Sequence, residues 1–110
     1  MKNKYNATKV TYYGKTFASK REGERYLELL DMKLKGEIED LELQVPYSLL
    51  DDFSYMGKKV KGISYIVDFQ YITKQGDLVV EDVKGYRPYH YELKKKLFLS
   101  RYSHIVFKET

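Results

Sequence analysis

The sequence predicts one three-layer α/β/α sandwich with a central mixed sheet, and three observations carry that expectation. In the segment from Leu78, Leu78 and Val80 share a strand face with Asp82 and Lys84, while Val79 and Val83 share the other with Glu81. A strand that is apolar on both faces needs cover above and below it, which helices supply. Two segments of helical period flank the strand-rich middle, giving the order αβββαβ. Finally, 110 residues with 43% hydrophobic and 15% aromatic content suffice for one core, and no repeat, low-complexity tract or linker divides them. Residues 1–110 are therefore read as a single domain.

Taken in order, residues 1–18 form a basic, tyrosine-rich arm or hairpin, because "KVTYYGKTF" has β-favouring residues on both sides of Gly14. Ser19 with Glu22 three residues later is a capping box. Tyr26, Leu27, Leu29, Leu30 and Leu34 then recur at helical spacing as far as Gly36. "IEDLELQVPYSLL" mostly alternates and predicts a strand that bends at Pro46, and "SYMGKKVKG" reads as a turn region rich in glycine and lysine. Ile63–Thr73 and Leu78–Lys84 predict a hairpin around Lys74-Gln75-Gly76-Asp77. Pro88 opens a second helix from Tyr89 to Tyr102, and His104–Lys108 supplies a last strand.

Composition narrows the chemistry. With no cysteine, disulfides, thiolate metal sites and thiol nucleophiles are excluded, leaving carboxylate, Tyr, Ser, Lys and two His. No apolar run approaches the ~20 residues of a membrane span, and MKNKYNATKV lacks a signal-peptide core, so the expectation is a cytoplasmic protein without membrane contact. A net charge of +4 mildly favours a polyanionic partner.

The hairpin holds the feature that demands an explanation. With the turn centred on Gln75 and Gly76, Asp68 and Asp82 fall close to cross-strand register, and Lys84 shares a face with Asp82. Two converging carboxylates repel and are costly to bury, so they persist where protons or a cation offset the charge. Magnesium, with its preference for hard oxygen ligands, is the natural cation, and it can activate water against a phosphodiester. Lys84 is placed to position that water or to stabilise charge on phosphorus. Glu22 is a helix cap or an additional acid of this site, or both.

Asp68 followed by "EDVKG" at residues 81–85, after a helix bearing Glu22, resembles the PD-(D/E)XK nuclease superfamily. More closely, "YYGKTFASKREGERYLELL", "LELQVPYSLL", "YIVDFQYI", "VVEDVKG" and "YELKKKLF" resemble a family of small phage-associated nuclease-like proteins catalogued as a domain of unknown function. The resemblance spans nearly the whole chain and implies a restriction-endonuclease-like fold. It makes Asp68 and Asp82 metal ligands assisted by the Val83 carbonyl, Lys84 the catalytic lysine, and Glu22 the helix-borne acid, acting on the metal directly or through water. The cofactor it implies is Mg2+, with Mn2+ able to substitute. Val67 stands where the superfamily has proline, and Phe17-Ala18-Ser19 lacks the acid of such relatives.

The implied activity is a Mg-dependent endonuclease that hydrolyses DNA phosphodiester bonds, phage- or prophage-encoded, with double-stranded or branched DNA as substrate. The alternative is a catalytically silent DNA-binding or regulatory protein of the same fold. A homodimer is the simplest route by which so small a chain cuts two strands. Lys15, Lys58, Lys59, Arg87 and Lys94 are candidate phosphate contacts, Lys94 equally a solvated helix position. Tyr12, Tyr13 and Tyr86 are candidates to stack on bases. Gln44 either donates a hydrogen bond into the site or faces solvent at an edge. Glu81 is a supporting candidate that alternation turns away from Lys84.

Overall fold

The structure, a computed structural model, describes residues 8–83 and 89–110. Expectations that fall on residues 1–7 and on Lys84, Gly85, Tyr86, Arg87 and Pro88 lie outside the described residues.

The basic arm is a hairpin of β1 (Val10–Tyr12) and β2 (Lys15–Phe17). Tyr13 and Gly14 both adopt positive φ, 51° and 77°, the conformation that two-residue hairpin turns require. The hairpin lies against α1 (Lys20–Leu34) at Gly23: a Cβ there would come within 2.5 Å of Val10 Cγ2 and 2.7 Å of the Tyr12 ring. Only glycine lets the two elements meet at this distance. Ser19 caps α1, its Oγ accepting from Glu22 N at 3.1 Å. Gly36, at φ 76°, ends the helix with its N–H on Lys33 O.

The chain then forms β3 (Ile38–Leu50), a small hairpin of β4 (Phe53–Tyr55) and β5 (Lys58–Val60), β6 (Ile63–Thr73), β7 (Leu78–Asp82), α2 (Tyr91–Arg101) and β8 (Val106–Glu109). The four-stranded sheet runs β3-β6-β7-β8, antiparallel except for the parallel pairing of β7 with β8 across the α2 crossover. The fold is thus mixed α/β, with a central mixed sheet and two helices.

Several boundaries differ from expectation. β3 does not bend away at Pro46, which pairs with Ile66 inside a continuous strand. The reason is position: β3 is a sheet edge, so one side carries no ladder and the missing N–H of proline costs no bond. "SYMGKKVKG" is not a turn region alone but the greater part of the β4–β5 hairpin, closed by Met56 (φ 49°) and Gly57 (φ 79°). β7 ends at Asp82, short of Lys84, and α2 begins at Tyr91, since Tyr89 projects into solvent. The last strand starts at Val106, because Ile105 N still closes a turn onto Tyr102 O.

Two cores flank β7. Val79 and Val83 join Phe17, Tyr26, Leu29 and Phe69 beneath α1, whereas Val80 joins Val67, Phe98 and Ile105 beneath α2. The long β3–β6 ribbon serves both. Leu43 and Phe69 belong to the α1 core, yet Val45 and Val67, two residues along each strand, belong to the α2 core. Strict alternation would keep each pair on one face. The alternation breaks at Gln44, whose φ is 52°, and opposite it stands Asp68.

Candidate metal centre

The candidate site lies at the level where this break occurs. The β6–β7 ladder ends at the pair Phe69–Glu81, so Asp68 and Asp82 occupy the next position, as the turn register predicts. Here a side chain takes over from the backbone: Asp68 Oδ2 accepts from Val83 N at 2.8 Å. Its Oδ1 accepts from Gln44 Nε2 at 3.3 Å, so Gln44 makes a hydrogen bond into the site from an exposed edge position.

Burial pushes the Asp68 carboxyl above its ordinary range. The Val83 amide offsets part of that rise, the negative charge of Glu22 adds to it, and contacts with the Asp82 carboxyl and Gln44 act against it. Asp82 is buried on the α2 side, where the Tyr65 hydroxyl donates to its Oδ2. Its backbone carbonyl accepts from Thr110 N at 3.0 Å, which ties β7 to the end of β8. Glu22, in the first turn of α1, is also raised, by burial and by the charge of Asp82. The helix thus carries a third acid into the field of the other two, while its backbone N–H serves the cap.

Glu81 does something else. Fully buried beneath α1, it accepts from Arg25 Nε at 2.8 Å and Nη2 at 2.7 Å, from the Tyr71 hydroxyl and from Thr110 Oγ1 at 3.3 Å. Burial alone would raise its pKa, but the Arg25 fork and the Tyr71 hydroxyl outweigh that and hold the carboxyl below its ordinary range. Glu81 therefore has its full complement of partners away from Asp68 and Asp82, and any support it lends them runs through the fold.

The remaining candidates are dispersed. Lys94, in the first turn of α2, donates from Nζ to Ser64 O at 3.1 Å. Lys15 is exposed on β2, and Lys58 is exposed beside Lys59 on β5. Lys84 and Arg87 lie outside the described residues. Two residues that sequence reasoning passes over matter here, Arg25 and Tyr65. Arg25 has a signal, one position before the buried Tyr26 on the inner stripe of α1, but nothing local names its partner 56 residues away. Tyr65 is an apolar-face residue by pattern, and its hydroxyl becomes relevant only once β6 and β7 are laid side by side.

Chemically, the site offers hard oxygen donors whose charges are mutually repulsive and partly desolvated, a donor set that suits a divalent cation such as magnesium. Among the described residues no three His, Asp or Glu side chains lie close enough together to hold a metal ion between them. Magnesium does not need three, since it usually keeps waters and takes one or two carboxylates with substrate phosphate.

Fold and site together define a small mixed α/β protein with paired carboxylates at the parting of two central strands. The chain belongs to the family described as Protein of unknown function (DUF1064), whose profile matches residues 2–109. No curated protein and no solved structure gives a significant match. Among the described residues, no helix is long and apolar enough to cross a membrane.

Proposed function

We propose that this protein is a Mg-dependent endonuclease of the PD-(D/E)XK type, with a restriction-endonuclease-like fold, acting on double-stranded or branched DNA. The observation that supports this reading best is the meeting of Asp68 and Asp82 at the end of the β6–β7 ladder, within reach of the charge of Glu22. Asp68 and Asp82, with the Val83 carbonyl, would hold the cation, and Glu22 would complete its shell directly or through water. A bound magnesium ion supplies Lewis acidity toward a phosphodiester and lowers the pKa of water.

The chain's own residues do the rest. Gln44 and the Val83 amide fix the two oxygens of Asp68, and Tyr65 fixes one oxygen of Asp82, so both carboxylates are oriented before substrate arrives. Lys84 follows Asp82 by two residues, and in this reading its ammonium orients the attacking water and offsets charge on the phosphorane-like transition state. Surface lysines hold the DNA backbone, and a two-fold dimer would present two such sites to two strands.

The test is direct. Purified protein, Asp68→Asn and Lys84→Ala are incubated with linear, supercoiled and four-way-junction DNA in magnesium and in manganese, with cleavage and binding followed together. Cleavage by the parent that both variants lose supports the nuclease. Binding without cleavage by the parent in either metal assigns the chain to the silent DNA-binding alternative.

A further inference from the structure

The β4–β5 hairpin carries large apolar side chains that join neither core among the described residues. Each of its strands is three residues long, a length at which an isolated two-stranded hairpin is marginal in water. Cross-strand pairing puts Phe53 opposite Val60 and Tyr55 opposite Lys58, leaving Phe53 45%, Tyr55 66% and, at the turn, Met56 84% exposed. Its mounting is nonetheless stiff. Asp52 Oδ1 accepts from Gly62 N at 2.7 Å, and a Cβ on Gly62 would come within 1.9 Å of Leu50 O, so the neck closes on glycine. The two acids of the neck are engaged, Asp52 with Gly62 and Asp51 with Ser48 and Arg101. Lys58, Lys59 and Lys61 form no ion pair among the described residues.

We propose that this hairpin enters the major groove of duplex DNA tip first, with Met56-Gly57 at the base edges and lysines on the phosphate walls. This rests on the DNA reading above and names how that substrate is held. In undeformed B-DNA width selects the groove: a two-stranded ribbon fits the ~12 Å major groove, whereas entry into the ~6 Å minor groove requires the duplex to be kinked or widened. Alternation then divides the lysines, since Lys58 and Lys59 are consecutive and point to opposite faces of the ribbon. A ribbon entering tip first thus offers one ammonium to each wall, which fits a groove lined by phosphate on both sides. At the tip, Met56 and Tyr55 suit apolar contact with base edges and thymine methyls. Gly57 at the tip precedes Asp68 by eleven residues, so the tip reaches at most ~36 Å from the carboxylates, about one turn of duplex. The hairpin would fix the duplex up to one turn from the bond to be cut.

The experiment measures binding of a 30-base-pair DNA duplex and of the same sequence as duplex RNA, with parent protein, a Lys58→Ala/Lys59→Ala variant and a Tyr55→Ser/Met56→Ser variant. All of these positions are exposed, and circular dichroism melts verify the fold. The expected result is a loss of about tenfold or more in DNA affinity for each variant, with the salt slope reduced by roughly two units only in the lysine variant. Methylation of guanine N7, a major-groove atom, should interfere with parent binding at one position and not with the Tyr55→Ser/Met56→Ser variant. RNA should bind less well, because its major groove is too deep and narrow to admit the ribbon. Parent-like DNA binding and salt slope in both variants would overturn the hairpin while leaving the nuclease reading intact. Equal binding of RNA would overturn the groove assignment, and a parent that binds no DNA would remove both.

Discussion

Arg25 and Glu81, 56 residues apart, form a two-pronged ion pair beneath α1, and this pair divides the consecutive acids Glu81 and Asp82 between two jobs. The strand's alternation sends one carboxylate to an arginine and the other to a tyrosine hydroxyl and a second aspartate. Glu81 holds the helix to the sheet, and Asp82 faces Tyr65 and Asp68 instead.

Breaking that pair should therefore be costly. Glu81→Gln or Arg25→Met alone should destabilise by about 3 kcal/mol, because each leaves the other partner's charge partly buried without its counter-ion. The double variant should recover a good part of the loss. Urea unfolding of all four proteins measures the coupling, and additive losses would show that the two residues act independently.

Asp82→Asn should behave in the opposite way. It removes one of the repelling charges and keeps an oxygen for the Tyr65 hydroxyl, so the metal-free protein should unfold at the parent midpoint or above it. Asp68→Asn should do likewise, since the amide oxygen can still accept from Val83 N, whereas Asp68→Ala should lose about 1 kcal/mol with that hydrogen bond. Clear destabilisation by both Asn variants would mean that the carboxylates are structural.

Stability should also depend on pH with a definite sign. Asp68 and Glu22 have pKa values raised above 3.8 and 4.5, so the folded state binds their protons more tightly than the unfolded state does. Their stabilising contribution is present in full below those unfolded values and is lost as pH rises through the raised folded ones. Metal-free protein should thus melt at higher temperature as pH is lowered from neutrality toward the carboxylate range. Glu81, whose pKa is lowered, opposes this only once pH falls through its own folded value, below 4.5. Melts from pH 5 to pH 8 read this directly, and Asp68→Asn should flatten the profile.

Magnesium should reverse that trend, because the ion competes with protons for the same oxygens. At one hundred times its dissociation constant it should add ~2.7 kcal/mol, and its effect should grow as pH rises. A melting temperature unmoved by millimolar magnesium at pH 8, with no heat of binding, would count against the site.

On the proposed nuclease reading, Lys84→Ala should separate catalysis from binding. An ammonium that acts on the water and the transition state contributes little to ground-state binding, so the variant should bind DNA almost as the parent does and cleave at least ~100-fold more slowly. Equal cleavage by both proteins would place the chemistry elsewhere.

What the sequence discloses here is local or periodic. Ser19 and Glu22 announce the start of α1 because a cap is decided within four residues, and the Gln75-Gly76 turn brings Asp68 level with Asp82 because a hairpin's register follows from its turn. Strand alternation alone puts Lys84 on the face of Asp82, whereas the role proposed for Glu22 rests on the resemblance to nucleases, because spacing leaves it open. Other features depend on partners that no local pattern names. Pro46 reads as a bend unless β3 is known to be an edge, and the β4–β5 strands are too short for alternation to show. The positive φ of Gln44, a residue with no special claim to that conformation, has no signal in the residues beside it.

The break at Gln44 and Asp68 also bears on how the protein folds. Because one ribbon crosses from the α1 core to the α2 core at that level, a slip of a single residue between β3 and β6 would misplace Leu43 and Phe69 in one core and Val45 and Val67 in the other. Neither core can therefore be assembled with the ribbon misaligned. Amide protons on both sides of the break, those of Phe69 and Val67 among them, should exchange with one shared opening free energy, as members of a single cooperative unit.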